Sequence, residues 1–296
     1  MPLLDAELIL NQDGSIYHLN LHPEQVAPTI LTVGDPERVK IVSQYFDRIE
    51  YTVQKREFVT HTGYIGAKRL TVISTGIGTD NIDIVFNELD ALFNINLQQK
   101  IIQPVFTPLT FIRIGTSGCL RKDIPIDAFL VSAYAVGLDN LMQYYQMPQS
   151  RLSLQLQQKI QSSFQKASLI ALSPYVVEGS TALIQILGKT MYQGITLTAP
   201  GFYAPQGRQL RARVHQTDLI EVFQQIDLST ISPHLLTNLE METAGIYGLA
   251  KVLGHQAISF NALLANRETG AFSRQGGKTV RRLIETVLER ISGTAK

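Results

Sequence analysis

The sequence predicts an α/β fold, one domain over residues 1–296 with a mixed β-sheet flanked by helices. Two observations carry this. Apolar, β-prone runs alternate with segments of helical hydrophobic spacing along most of the chain. Several of those runs lead straight into a glycine-bearing turn, and no linker or low-complexity tract divides them. The 296 residues, 45% hydrophobic and 17% charged, suffice for a sizeable core.

Ala27 to Val33 is apolar and runs into Gly34-Asp35-Pro36, where Pro36 opens a helix capped by Asp35. Val39, Ile41, Val42, Tyr45 and Phe46 recur at helical spacing. Ile49 to Val53, Phe58 to Ile65 and Arg69 to Ser74 read as strands with turns near Gly63 and Gly66. After Gly76-Ile77-Gly78, residues Ile82, Val85, Phe86, Leu89 and Leu92 mark a helix. The polar stretch 94–108 carries two prolines and reads as a loop or insertion. Thr110 to Ile114 is a buried strand expected to end in a glycine turn, and Asp127 to Val136 is a central strand. Arg151 to Lys166 is a surface helix and Thr181 to Leu187 a buried one. The strand Ile195 to Ala199 precedes a loop from Pro200 to Gly207. Leu236 to Leu239 is extended, Glu242 to Leu253 helical, Gln256 to Ala265 the last strand and Lys278 to Ile291 the last helix. In such sheets ligands bind beyond the carboxyl ends of the strands, where the glycine turns and the 200–208 loop can converge.

Composition narrows the function. A net charge of +1 gives no global field for nucleic acid or an acidic membrane, so any affinity for anions is local. The single cysteine, Cys119, excludes an internal disulfide and a multi-cysteine metal site, and suits a reducing cytoplasm. The six histidines show no paired metal spacing. Met1 to Leu10 lacks the pattern of a signal peptide, and the apolar stretch from Ala128 to Leu138 is too short to span a bilayer. A soluble intracellular protein is the expectation.

Three stretches carry chemistry. In Gly34-Asp35-Pro36-Glu37-Arg38 a bare glycine amide, a helix start and an arginine one turn on make an anion site. In Arg113-Ile114-Gly115-Thr116-Ser117-Gly118 an arginine late in an apolar strand needs an anionic partner, and hydroxyls and amides follow it. In Glu240-Met241-Glu242 the acids share a face if the chain is extended and diverge if the helix has begun; a carboxylate there can accept from vicinal sugar hydroxyls. Phe202, Gln206 and Arg208 share one loop, where an amide and a guanidinium can read a planar heterocycle and an aromatic can stack on it. Gly76-Ile77-Gly78 is no dinucleotide fingerprint, because position 81 is Asn.

With these residues in place the chain resembles the nucleoside phosphorylase family, closest to its uridine phosphorylase branch. The likeness runs from about Tyr17 to the last helix, with the three motifs matching in order and spacing. It implies a nucleoside phosphorylase-like fold and assigns Gly34, Arg38, Arg113 and Thr116 to phosphate. A further phosphate arginine comes from a neighbouring subunit; Arg56 in Lys55-Arg56-Glu57-Phe58 is the candidate, although the branch places its own a few residues later, where this chain has His61-Thr62. The resemblance puts ribose on Met241 and Glu242 with Glu240 nearby. It puts His18 on the 5′-hydroxyl across a dimer, and Phe202, Gln206 and Arg208 on a pyrimidine. Purine enzymes of the family carry an aspartate after the last strand, where this chain has Ala265-Asn266-Arg267. Asparagine cannot supply that proton, and Arg267 would steady the base loop.

The activity implied is reversible phosphorolysis of uridine to uracil and ribose 1-phosphate, a pentosyltransferase reaction of pyrimidine salvage. Arg113, Gln206, Arg208 and Glu242 would carry catalysis. No cofactor or metal is implied, since inorganic phosphate is the co-substrate. The partners implied are nucleoside, phosphate and further copies of the chain in dimer-based rings, commonly hexamers, with no nucleic acid or membrane. A purine nucleoside phosphorylase, a nucleosidase and a non-catalytic nucleoside-binding module stand as alternatives. Two departures from the family pattern are Thr79-Asp80-Asn81, where many relatives have Gly-Pro-Ser, and the length of 94–108.

Overall fold

Burial of the β-branched runs decides the architecture. A computed structural model describes residues 2–169 and 172–293; Met1, 170–171 and 294–296 of the expected 1–296 domain lie outside the described residues. The elements run β1 (Thr29–Val33), α1 (Pro36–Ser43), β2 (Arg48–Lys55), β3 (Phe58–Ile65), β4 (Lys68–Ser74) and α2 (Thr79–Asn94). Then come β5 (Ile95–Asn96), β6 (Ile101–Ile102), β7 (Thr110–Cys119), β8 (Phe129–Gly137), α3 (Arg151–Lys166), β9 (Tyr175–Glu178), α4 (Thr181–Leu187) and β10 (Tyr192–Thr198). The chain ends with α5 (Leu219–Gln224), β11 (Leu236–Glu240), α6 (Thr243–Val252), β12 (Gln256–Asn266) and α7 (Gly276–Ser292).

The main sheet has the order β11-β10-β8-β12-β7-β1-β4-β3-β2, with β9 added against β8. It is mixed: β1 lies parallel to β4 and β7, while β2, β3 and β4 form an antiparallel meander. β11 pairs in parallel with β10 and in antiparallel with β7, through Asn238↔Cys119 and Leu239↔Gly118. That second pairing closes β7, β12, β8, β10 and β11 into a ring.

Helices cover the sheet through their apolar stripes. On α2, Ile82, Val85, Phe86, Leu89 and Leu92 are buried with residues of α6 and with Leu8, Ile16, Leu19 and Leu21 of the N-terminal segment. On α7, Val280, Leu283, Ile284, Val287, Leu288 and Ile291 pack in one cluster with Val39 and Val42 of α1. Leu156, Ile160 and Phe164 of α3 join Leu219 and Phe223 of α5 over β9 and β10. Among the described residues no helix is long and apolar enough to cross a membrane.

Four expectations need correction. β7 does not end in a turn after Ile114: it runs on through both glycines to Cys119, because β12 pairs with it as far as Asn266↔Cys119. α4 is a helix, but only Leu187 on it is buried, and Ile186 is 62% exposed. The 94–108 stretch contains a small antiparallel pair, Ile95↔Ile102 and Asn96↔Ile101. Asn94 organises it, accepting from Thr107 N through Oδ1 and donating to Asp90 and to Thr107 O. Lastly, α6 starts at Thr243, with Glu242 at its N-cap position.

Candidate active site

The carboxyl ends of β1, β4, β10, β11 and β12 meet at one cleft of about 630 Å³. Gly34, Arg38, Arg113, Thr116, Phe202, Gln206, Arg208, Glu240, Met241 and Glu242 all line it. His18 and Arg56 do not. His18 sits 2.5 Å by its Nδ1 from Glu88 Oε1, and Glu88 also accepts from the His18 and Leu19 amides. Arg56 is exposed in the β2–β3 turn with φ of 55°.

Local structure sets each group. Asp35 accepts from Glu37 N and starts α1, whose first turn carries Arg38 to the cleft beside the Gly34 amide. Gly34 has its neighbour close: a side chain there would meet Gly76 O at 3.3 Å. The Arg38 side chain makes no hydrogen bond or ion pair with protein among the described residues; its backbone N–H donates to Asp35 O. Burial and then the Arg113 charge lower its pKa, against the pull of Asp35 and Glu242. An arginine stays protonated all the same, so an unspoken-for cation faces the cleft.

Arg113 is the opposite case. Its Nη2 donates to Glu242 Oε2 at 2.6 Å and lies 2.9 Å from Glu240 Oε2. Its Nη1 donates to Asn261 Oδ1 at 3.1 Å and Ser259 Oγ at 3.4 Å. Burial alone would lower the Arg113 pKa, but Glu240 and Glu242 outweigh it and hold it above the ordinary value.

The two acids differ in what they have left. Glu240 accepts from Thr198 Oγ1 through Oε1 and from Glu242 N and Thr243 N through Oε2, the oxygen that also lies 2.9 Å from Arg113 Nη2. It thereby caps the start of α6 from the end of β11. Glu242 accepts from Gly78 N at 3.0 Å and from Arg113, and keeps acceptor capacity. Burial raises its pKa, with Arg113 opposing. So although the strand ends at Glu240 and the helix begins at Thr243, both carboxylates converge on one guanidinium.

The far wall is the 202–208 loop. Arg208 Cζ lies 3.8 Å above the Phe202 ring centroid, and Arg208 Nη1 donates to Phe202 O and Gln206 Oε1. Burial and then the Arg267 charge lower Arg208 to about 10. Gln206 Nε2 is buried without a hydrogen-bond partner, and such a donor calls for an acceptor. Arg267 donates to Gln206 O and Gly207 O and braces the loop. Asn266 donates to Arg121 O and Ile124 O and accepts from Glu268 N and Thr269 N, so it is tied into its own turn.

Sequence reading passed over several residues here. Ile77, Leu264, Ala265 and Phe272 complete the apolar lining, and Ser259 and Asn261 hold Arg113. The last two had a signal: in Ser259-Phe260-Asn261 polar groups alternate within an otherwise apolar strand, so both face one side. Among the described residues no cluster of His, Cys, Asp and Glu could hold a metal.

The cleft at the ends of the parallel strands, with one free and one clamped arginine side chain, has the charge and the donors to receive an anion. A family profile described as "Phosphorylase superfamily" matches residues 28–289, and the chain belongs to that family. It is 28% identical over 275 residues to a uridine phosphorylase of Thermococcus kodakarensis, covering 93% of this chain and 86% of the relative. It is 25% identical over 277 residues to a DeoD-type purine nucleoside phosphorylase of Colwellia psychrerythraea, covering 93% and 98%. A crystal structure of a Trypanosoma brucei nucleoside phosphorylase, described as showing uridine phosphorylase activity, superposes with a TM-score of 0.85. That pair is 28% identical, with 97% of this chain and 100% of the other covered.

Proposed function

We propose that this chain is a uridine phosphorylase, a pentosyltransferase that converts uridine and inorganic phosphate to uracil and ribose 1-phosphate. One observation carries the reading: the Arg38 guanidinium, without a hydrogen bond or ion pair to protein among the described residues, faces the same cleft as Glu242 and the Gln206–Arg208 pair. Phosphate lies against Gly34, Arg38, Arg113 and Thr116. Glu242 and Met241 hold the ribose, and Glu240 serves them by fixing Arg113 and the start of α6. Phe202, Gln206 and Arg208 hold the uracil.

A phosphate oxygen forms the new bond to the anomeric carbon while the bond from that carbon to the base nitrogen breaks. The electron pair leaves with uracil, and the sugar is cationic in between, as in glycoside cleavage. Arg208 and the Gln206 amide meet the charge on the departing base with donors already in place. The bound phosphate stabilises the cationic sugar. The Asn266 bonds described above oppose the purine reading, because that side chain has no proton to give a purine ring. The chain acts as a homo-oligomer in which His18 and Arg56 reach a neighbour's cleft, and a reducing cytoplasm suits its one buried cysteine.

A nucleoside panel with and without phosphate, read by free base released, tests this. Uracil should appear from uridine only when phosphate is present. Cleavage in phosphate-free buffer identifies a nucleosidase, and release of purine bases alone moves the chain to the purine branch.

A further inference from the structure

The ring of β7, β12, β8, β10 and β11 has a polar interior. Each strand contributes to a line of buried hydrogen bonds: Asn261 Nδ2 donates to Ser132 Oγ (3.3 Å), Ser132 pairs with Thr196 Oγ1 (2.6 Å), and Thr196 donates to Asn238 Oδ1 (2.8 Å). Asn238 Nδ2 then donates to Ser117 Oγ at 2.9 Å, and Ser117 lines the cleft. All of these side chains are buried. The direction of donation is consistent from end to end. Thr196 gives its hydrogen to Asn238, so Ser132 gives its own to Thr196 and is left to accept from Asn261. That orientation turns Asn261 Oδ1, and not its amide nitrogen, toward Arg113.

We propose that Asn261 is a positioning residue for Arg113 and that it sets the enzyme's grip on phosphate. This rests on the uridine phosphorylase reading above. The Arg113 guanidinium donates to Glu242 from Nη2, which also pairs with Glu240, and to Asn261 and Ser259 from Nη1. When ribose draws Glu242 toward its hydroxyls, the Nη2 contact to that acid weakens. Asn261, Ser259 and Glu240 are then what keep the guanidinium from following. Asn261 is the stronger of the two neutral anchors by distance, and the buried line behind it prevents its amide from rotating. Register adds to this: Asn261 pairs with Gly115, the residue over which the Arg113 guanidinium folds.

The experiment compares Asn261→Leu and Ser132→Ala with the parent. Asn261→Leu removes the acceptor, and Ser132→Ala removes the group that orients it. The KM for phosphate should rise about 10–100-fold in Asn261→Leu, the cost of a misplaced catalytic contact, and less in Ser132→Ala. The KM for uridine should stay at the parent value, a split that general loosening of the ring does not give. Phosphate-induced thermal stabilisation should shrink in the same order, and this readout needs no turnover. An unchanged phosphate KM and an unchanged thermal response in Ser132→Ala, or in a folded Asn261→Leu, overturn the proposal. If the parent itself releases no uracil, the proposed function fails, and the thermal response to phosphate still decides the role of Asn261.

Discussion

Arg113 and its two carboxylates form a buried cluster of charge at this site. A buried ion pair gains little over apolar packing, but removing one member leaves a charge without compensation. Glu240→Ala should therefore cost about 3–5 kcal/mol of stability, since it also strips Glu242 N and Thr243 N of their acceptor; urea unfolding measures it, and a loss below 1 kcal/mol, the scale of a surface pair, contradicts the arrangement. The same burial sets a pH dependence. It holds Glu242 above the ordinary glutamate value of 4.5, so this acid takes up a proton at a higher pH than a free one. A protonated Glu242 accepts less well from ribose, and activity should fall as pH falls. The acid limb of kcat/KM for uridine should lie above pH 4.5, the ordinary glutamate value; a limb at or below that value counts against Glu242 as the sugar acceptor. On the opposite wall, Arg208→Ala should lower kcat ~100–1000-fold with the circular dichroism spectrum unchanged. Undiminished turnover removes Arg208 from the mechanism.

β7 shows what a strand can do that a turn cannot. By continuing through Gly115 and Gly118 it keeps pairing with β12 and meets β11, and the missing side chain of Gly115 makes room for the Arg113 guanidinium. A Cβ on Gly115 would lie 2.1 Å from Arg113 Nη1, whereas one on Gly118 would make only van der Waals contact with Arg267 Cγ, at 3.4 Å. Gly115→Ala should leave the strand in place and push the Arg113 fork aside, raising the phosphate KM on the order of 100-fold for a displacement near 1 Å. Steady-state kinetics with phosphate varied checks this, and an unaffected KM refutes the close approach. This element also marks where sequence reading stops. Arg113 stood out because a charge in an apolar run demands a partner, and Asp35-Pro36 announced α1 by local capping chemistry alone. The two glycines looked like a turn because a bare sequence does not reveal whether a glycine bends the chain or admits a neighbour. α4 failed for a related reason: its apolar residues gave a helix, but which of them lie under α7 depends on where the ends of the chain pack. The small pair in 94–108 was hidden because two-residue strands carry no periodicity, and Asn94 side-chain bonds hold the stretch together.

Closing five strands into a ring gathers residues separated by about half the chain length, from Arg113 to Asn261, at one mouth. It leaves His18 and Arg56 outside that mouth in the same chain: one is latched to Glu88, the other exposed at a hairpin tip. Their proposed roles therefore require a second copy of the chain. In a two-fold dimer each cleft would borrow its neighbour's Arg56, and an Arg56→Ala subunit keeps a sound cleft while an Arg208→Ala subunit keeps a sound Arg56. Each variant alone should be nearly inactive. After the two are unfolded together and refolded at equal amounts, half of the dimers are mixed and each mixed dimer has one complete site, so about a quarter of parental activity should return. Sedimentation run beside the assay shows whether the active species is the dimer or a larger ring. Activity in a sedimenting monomer, or no recovery in a mixture that has formed mixed dimers, separates Arg56 from the phosphate site and leaves Arg38 and Arg113 as the cations that hold the anion.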